Sequence, residues 1–216
     1  MNELSLSQEY MMCALSDKGK IPAMRFDRVI ALAAAAVAEL LADDIIELDG
    51  KKLSTARQLP QDKEFLRLVY DHIKAKEPIN FKSVVDRYSV SFTGKNPNAL
   101  FEAVCESLAD AGCVKKAARG IAGSRTAYIP DADALDGIIQ NIRAEILEDG
   151  RLSEDIAALT ALLDKTDDIK KFFSAYERKA LKKRLKEIKS DPENEKTAKV
   201  INYIDELMTI VIVSAT

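Results

Sequence analysis

The sequence predicts a mainly α protein, a single compact helical domain over residues 1–216 with a buried central helix and a projecting β-hairpin. Three observations carry this. Apolar residues recur at the helical spacing of i, i+3, i+4 and i+7 through most of the chain. Residues 25–42, RFDRVIALAAAAVAELLA, are so rich in alanine and aliphatics that a helix there has to be buried nearly all round. Residues 113–130, CVKKAARGIAGSRTAYIP, hold two short extended runs, 113–116 and 126–129, about a glycine-containing basic loop, which is the pattern of a hairpin.

The remaining elements follow in order. SLSQEYMMCAL opens with Ser5-x-x-Gln8, the spacing of a capping box, and brings Leu6, Tyr10, Cys13 and Ala14 to one face, so this first helix packs inward. SDKGK is a turn into the central helix, and DIIELDGKKL follows it with an apolar run and a DG turn, a small hairpin. Residues 61–76 read as a helix stopped by Pro78, residues 81–88 as a short helix, GKNPN as a loop, and residues 99–111 as a helix that Gly112 ends. From Asp131 onward everything reads as helix, broken at EDGR, DKTDD and SDPEN.

Composition bounds the function. With 216 residues, 47% of them hydrophobic, the chain can bury a real core. No window reaches the roughly 20 apolar residues of a bilayer span, and MNELSLSQEY lacks the basic then apolar pattern of a signal peptide, so a cytoplasmic protein is expected. Cys13, Cys105 and Cys113 are an odd set without a CxxC, and read as reduced, small core residues. The single histidine, His72, has no second histidine or nucleophile motif beside it and reads as a solvated or capped side chain. Without GxGxxG, a P-loop or HExxH, the sequence names no catalytic residue, no metal ligand and no cofactor, and a protein that is not an enzyme is expected.

Charge is distributed unevenly. YERKALKKRLKEIK, residues 176–189, carries seven basic side chains in a protein of net charge -3. On a helical wheel Leu181, Leu185 and Ile188 form one narrow seam, while Arg178, Lys179, Lys182, Lys183, Lys186 and Lys189 share a broad adjoining face. Residues 164–189 hold ten basic and five acidic residues, net +5, which leaves -8 for the rest. Acids at the start and bases at the end of this helix suit its dipole, so a solvated face explains much of the pattern, and an anionic partner is the alternative.

Two binding readings compete with a plain protein-interaction scaffold. FKSVVDRY, GKNPN, ALFEAVCESLADAG and the basic hairpin follow one another in the order helix, turn, helix, wing, as in a winged-helix nucleic-acid-binding protein. The helix that would enter the groove carries Glu102, Glu106 and Asp110 and no Lys or Arg between Asn98 and Gly112, which sets negative charge against phosphates and makes nucleic acid the weaker partner.

The other reading comes from resemblance. LSLSQEYMMCALSDKGK resembles the opening LTLxEExLLLxLxDxxG of the Golgi phosphoprotein 3 family, VAELLADDIIEL resembles its LIELALRGRLQL, and DDIKKFFSAYERKALKKRLKEI resembles its late helix, where a Tyr leads into a basic amphipathic run. The resemblance implies a noncatalytic, almost all-helical peripheral membrane protein that recognises phosphatidylinositol 4-phosphate and, in eukaryotic members, adapts the cytosolic tails of membrane proteins. In the family a tryptophan and three arginines line the headgroup pocket; those positions align here with Met24, Ala33, Asn98 and Phe101. The family hairpin carries an apolar tip suited to oligomerisation or shallow insertion, which implies a homo-oligomer through the 113–129 hairpin as one option, although this chain departs from that pattern and has only Ile121 near the turn. The chain starts at the first segment of the resemblance, in keeping with a compact prokaryotic relative. Near the pocket segments, Arg25, Arg28, Arg119 and Arg125 are the guanidinium groups left to hold an anionic membrane lipid, with the basic face of Arg178, Lys179, Lys182, Lys183 and Lys186 as a secondary aid. The bland reading of the four arginines is ordinary solvated surface.

Overall fold

The computed structural model describes residues 4–22, 25–89, 95–119, 125–147, 153–191 and 194–214. Its architecture is mainly α, with two small antiparallel sheets. Helix α1 (Leu6–Ala14) starts where Gln8 Oε1 accepts the Ser5 backbone N–H at 3.0 Å, the reciprocal arm of the expected capping box, and it buries Leu6, Tyr10, Cys13 and Ala14 together. Helix α2 (Phe26–Ala42) is the central helix: every residue from Ile30 to Leu40 is buried, because its small alanines let neighbours approach on all sides.

Strands β1 (Ile46–Asp49) and β2 (Lys52–Thr55) form the hairpin expected at the DG turn, with Gly50 at φ +58 supplying the left-handed turn residue. A third strand, β3 (Ile79–Asn80), which periodicity did not single out, pairs with β2 through Lys52 and Leu53. Residues 61–76 depart from the expected single helix. A 3-10 helix (Gln61–Leu66), kinked at Lys63, leads into helix α3 (Arg67–Lys74), which ends before Lys76. Pro78 and the short strand it precedes take the chain out of helical geometry.

Helices α4 (Phe81–Ser89) and α5 (Lys95–Asp110) follow. Residues 95–98 of the expected GKNPN loop are helical instead: Pro97 sits in the first turn of α5, where a missing N–H costs nothing. Gly112, at φ +75, ends α5 as expected. Strands β4 (Val114–Arg119) and β5 (Arg125–Pro130) make a hairpin longer than the sequence runs indicated, paired from Val114 and Pro130 up to Arg119 and Arg125. Ile121 and the hairpin tip lie outside the described residues, as does the EDGR break.

The rest is helical: α6 (Ala132–Leu147), α7 (Glu154–Lys165), a 3-10 turn (Asp168–Lys171), α8 (Ala175–Ser190) and α9 (Glu195–Ser214). One continuous buried cluster runs from α1 and α2 through α5 and α7 to α9. The three cysteines are buried in it or at its margin, and burial raises the thiol pKa of each. Among the described residues no helix is long and apolar enough to cross a membrane.

Candidate functional site

A groove of about 610 Å³ opens beside the start of α2. Its apolar floor comes from Val29 and Leu32 of α2, Phe101 of α5 and Tyr128 of β5, whose rings meet edge to face at 5.9 Å. Its rim is cationic, with Lys20, Arg25, Arg119 and Arg125 on three different elements and Glu102 as the acid of the lining. The rim is assembled by a close approach: the Tyr128 backbone N–H donates to the Gly19 carbonyl at 3.0 Å, tying the α1–α2 connection to β5. Gly19 is at φ +63, and a Cβ there would lie 2.6 Å from the Tyr128 nitrogen, so this contact requires glycine.

The cations differ in how they are held. Arg119 and Arg125 are exposed and directly opposite each other in the hairpin register, and neither has a carboxylate partner among the described residues. Like charges facing each other across a strand pair repel, so this pairing costs stability unless an anion sits between them. Arg25 is anchored through Nε and Nη2 to Asp27, with Nη2 also donating to the Thr166 carbonyl; the bond to Asp27 raises its pKa. Lys20 has no ion pair among the described residues. Sequence reasoning passed over Lys20, although its place in the turn just before the central helix was a usable signal.

Arg28 is a correction. It is neither a solvated arginine nor part of the groove: only 3% exposed, it points inward, donating from Nη2 to Asp168 Oδ1 at 2.5 Å and from Nη1 to the Ala14 carbonyl at 3.0 Å. Lys171 reaches the same carboxylate at 3.2 Å and the Cys13 carbonyl at 3.1 Å. Two cations thus cover the carboxyl end of α1, where its carbonyls carry partial negative charge. Of the four family pocket positions, Asn98 and Phe101 line the groove, Ala33 is buried inside α2, and Met24 lies outside the described residues.

The basic face of α8 is largely engaged with the protein itself. Lys182 pairs with Asp164 at 2.9 Å, Lys183 with Glu187 at 3.5 Å, and Lys189 with Asp205, while Arg178 donates to the Phe173 carbonyl at 2.8 Å. Lys179 and Lys186 have no such partner among the described residues. The face nevertheless adjoins the groove's Arg25 end. The Asp167 carboxyl is lowered by its hydrogen bond from Lys170, and Lys182 and Arg25 both lie close enough to lower it further.

The helix-helix-hairpin order of α4, α5, β4 and β5 is present, yet of the acids on α5 Glu106 is held by the hairpin and Glu102 lines the groove. Glu106 accepts from Lys116 and from the Tyr128 hydroxyl, and Lys116 lowers the Glu106 pKa. His72 is half-buried against the edge of Tyr88 at 6.1 Å, and burial lowers its pKa. No curated protein matches the chain. The family model for Golgi phosphoprotein 3 (GPP34) matches residues 6–204, nearly the whole chain, and the chain belongs to that family.

Proposed function

We propose that this protein is a noncatalytic peripheral membrane adaptor that holds a phosphorylated lipid headgroup, phosphatidylinositol 4-phosphate by family, in the groove between α2, α5 and the hairpin. The observation that carries the reading is the pair Arg119 and Arg125, two cross-strand guanidinium groups without acid partners, both lining a groove that Lys20 and Arg25 also line. Guanidinium groups meet phosphate oxygens in bidentate fashion, and three of them on separate elements can surround one headgroup. Asn98 and Phe101 stand where the family has pocket residues of other types, so in this chain the anion contacts shift from α5 to the hairpin. A groove of this size suits a sugar-phosphate headgroup. Lys179 and Lys186 add charge-dependent attraction to an anionic leaflet, about 1 kcal/mol for each side chain close to the surface.

The test is flotation with vesicles of neutral lipid, of neutral lipid with phosphatidylserine, and of neutral lipid with phosphatidylinositol 4-phosphate at equal charge. Preference for the phosphoinositide is expected, with a loss of about tenfold or more in the Arg119→Ala, Arg125→Ala double variant, since each charge-assisted bond is worth about 1.5–3 kcal/mol. Unchanged binding by that variant would overturn the reading.

A further inference from the structure

Of the four cations that line the groove, Arg25 alone has carboxylate partners among the described residues. Its Nε donates to Asp27 Oδ1 at 2.9 Å and to Oδ2 at 3.1 Å, and its Nη2 donates to Oδ2 at 2.7 Å, so the carboxylate lies across the Nε–Nη2 edge of the guanidinium. The same Nη2 donates to the Thr166 carbonyl and lies 3.5 Å from Asp168 Oδ1. A guanidinium grips a phosphate through two parallel N–H groups, along either its Nε–Nη2 edge or its Nη1–Nη2 edge. Asp27 takes the first edge, and the bond to Thr166 draws Nη2 away from the second. Only Nη1 is left without a hydrogen bond among the described residues. Arg25 therefore lines the groove without a bidentate edge to offer.

The restraint is of a kind that can be released. Arg25 and Asp27 are 30% and 28% exposed, so their contact is screened by water, and the carboxylate is rehydrated when the cation leaves. Asp168 does not depend on Arg25, because its Oδ1 also receives Arg28 at 2.5 Å and Lys171 at 3.2 Å. A phosphate monoester carries a charge of about -1.5 to -2 on three acceptor oxygens, more than the single charge of Asp27. Arg119 and Arg125 have no carboxylate of their own to displace among the described residues.

We propose, on the basis of the headgroup reading above, that Asp27 is a built-in competitor for the headgroup phosphate. Its carboxylate occupies the Arg25 edge that a phosphate oxygen pair would take. An arriving phosphate is met by Arg119 and Arg125, and Arg25 joins them only by exchanging Asp27 for the ligand. The carboxylate thus acts as an autoinhibitory contact, holding affinity below the level that the guanidinium groups would reach together and keeping attachment reversible. Asp27 is a positioning residue: it acts through Arg25 and need not touch the ligand.

The probes are vesicles of neutral lipid with phosphatidylinositol 4-phosphate, read by flotation, and soluble inositol 1,4-bisphosphate, read by calorimetry. Each is applied to the wild type, Asp27→Asn, Arg25→Ala and the double variant. Asp27→Asn should bind both probes about fivefold more tightly, the release of one partly exposed ion pair. Its Tm should stay the same or fall, since an acid is lost from the first turn of α2. A damaged fold would lower binding as well. In the Arg25→Ala background the same substitution should gain less than about twofold, because the competitor then has nothing to withhold. Arg25→Ala should correspondingly cost about twofold with Asp27 in place and about fivefold or more in the Asp27→Asn background. No gain by Asp27→Asn, an equal gain with Arg25 absent, or a gain for vesicles but none for the soluble headgroup would each overturn the proposal, the last two by reducing Asp27 to a negative charge near the site or near the bilayer. A wild type without preference for the phosphoinositide overturns the headgroup reading and this exchange with it. A preference that depends on Arg119 and Arg125, beside an Asp27→Asn variant that binds no better, overturns the exchange alone.

Discussion

Arg28 and Asp168, 140 positions apart in the chain, meet at 2.5 Å in the interior, where they are 3% and 1% exposed. The contact locks the start of the central helix to the turn after α7 and, through the Ala14 carbonyl, to the end of α1. Asp168→Asn leaves Arg28 buried without its counter-charge and strips Lys171 of its carboxylate. A loss of about 3–5 kcal/mol is expected in urea unfolding. Arg25→Ala removes a partly exposed side chain whose contact with Asp168 is the longer one, 3.5 Å, and should cost less than Asp168→Asn does. Equal losses in the two variants would contradict the division of the two arginines between interior and groove.

Gly19→Ala introduces a methyl group 2.6 Å from the Tyr128 backbone nitrogen at a left-handed φ of +63. The α1–α2 turn must then pull away from β5, carrying Lys20 with it. A destabilisation of more than about 1 kcal/mol is expected, together with weaker vesicle binding although no charged residue has changed. Full vesicle binding at a temperature where the variant is folded would show that the turn does not set the groove.

Glu177 caps α8: its carboxylate accepts the Ser174 N–H at 2.7 Å and a bond from Arg143 at 3.0 Å, and the Ser174 bonds, with Arg143 adding, bring its pKa down to about 2. A folded-state pKa below the unfolded value means that this contribution is complete above the ordinary glutamate pKa, about 4.3. It is lost as pH falls through that value toward about 2. Thermal melts of the wild type should therefore decline more steeply between those limits than melts of Glu177→Gln. Parallel declines would remove Glu177 from the account of acid sensitivity.

Legibility in the sequence followed the range of the interactions. Helix α2 and the seam of α8 were readable because alanine density and i, i+4 spacing are local properties of the chain. Strand β3 was not, since its two residues are extended only because Lys52 and Leu53 wait beside them. Arg28 and Arg25 look alike three positions apart, and both reach Asp168, far along the chain, Arg28 at 2.5 Å from the interior and Arg25 at 3.5 Å from the groove side. The groove was half legible: three of its arginines could be picked out, but their meeting depends on Gly19 lying against Tyr128, a contact no spacing rule encodes.

The two faces of α8 should separate stability from surface attraction. Leu181, Leu185 and Ile188 are all buried, Leu185 at 6% exposure, whereas Lys182 pairs with Asp164 at the surface and Lys186 is exposed. Burying a leucine contributes about 1.5–3 kcal/mol by transfer alone, and truncation adds the cost of the cavity left behind. A surface ion pair contributes about 0–1 kcal/mol. Leu185→Ala should therefore lower stability by about 2–5 kcal/mol. Lys182→Glu with Lys186→Glu should leave the cooperative unfolding transition in place, shifted by little more than the lost pair and the new repulsion with Asp164. The same charge reversal should weaken attachment to anionic vesicles modestly at low salt and lose its effect as the Debye length shrinks toward about 3 Å at 1 M salt. An unfolded charge-reversed variant beside a fully stable Leu185→Ala would mean that the charged face, and not the leucine seam, holds this helix to the protein.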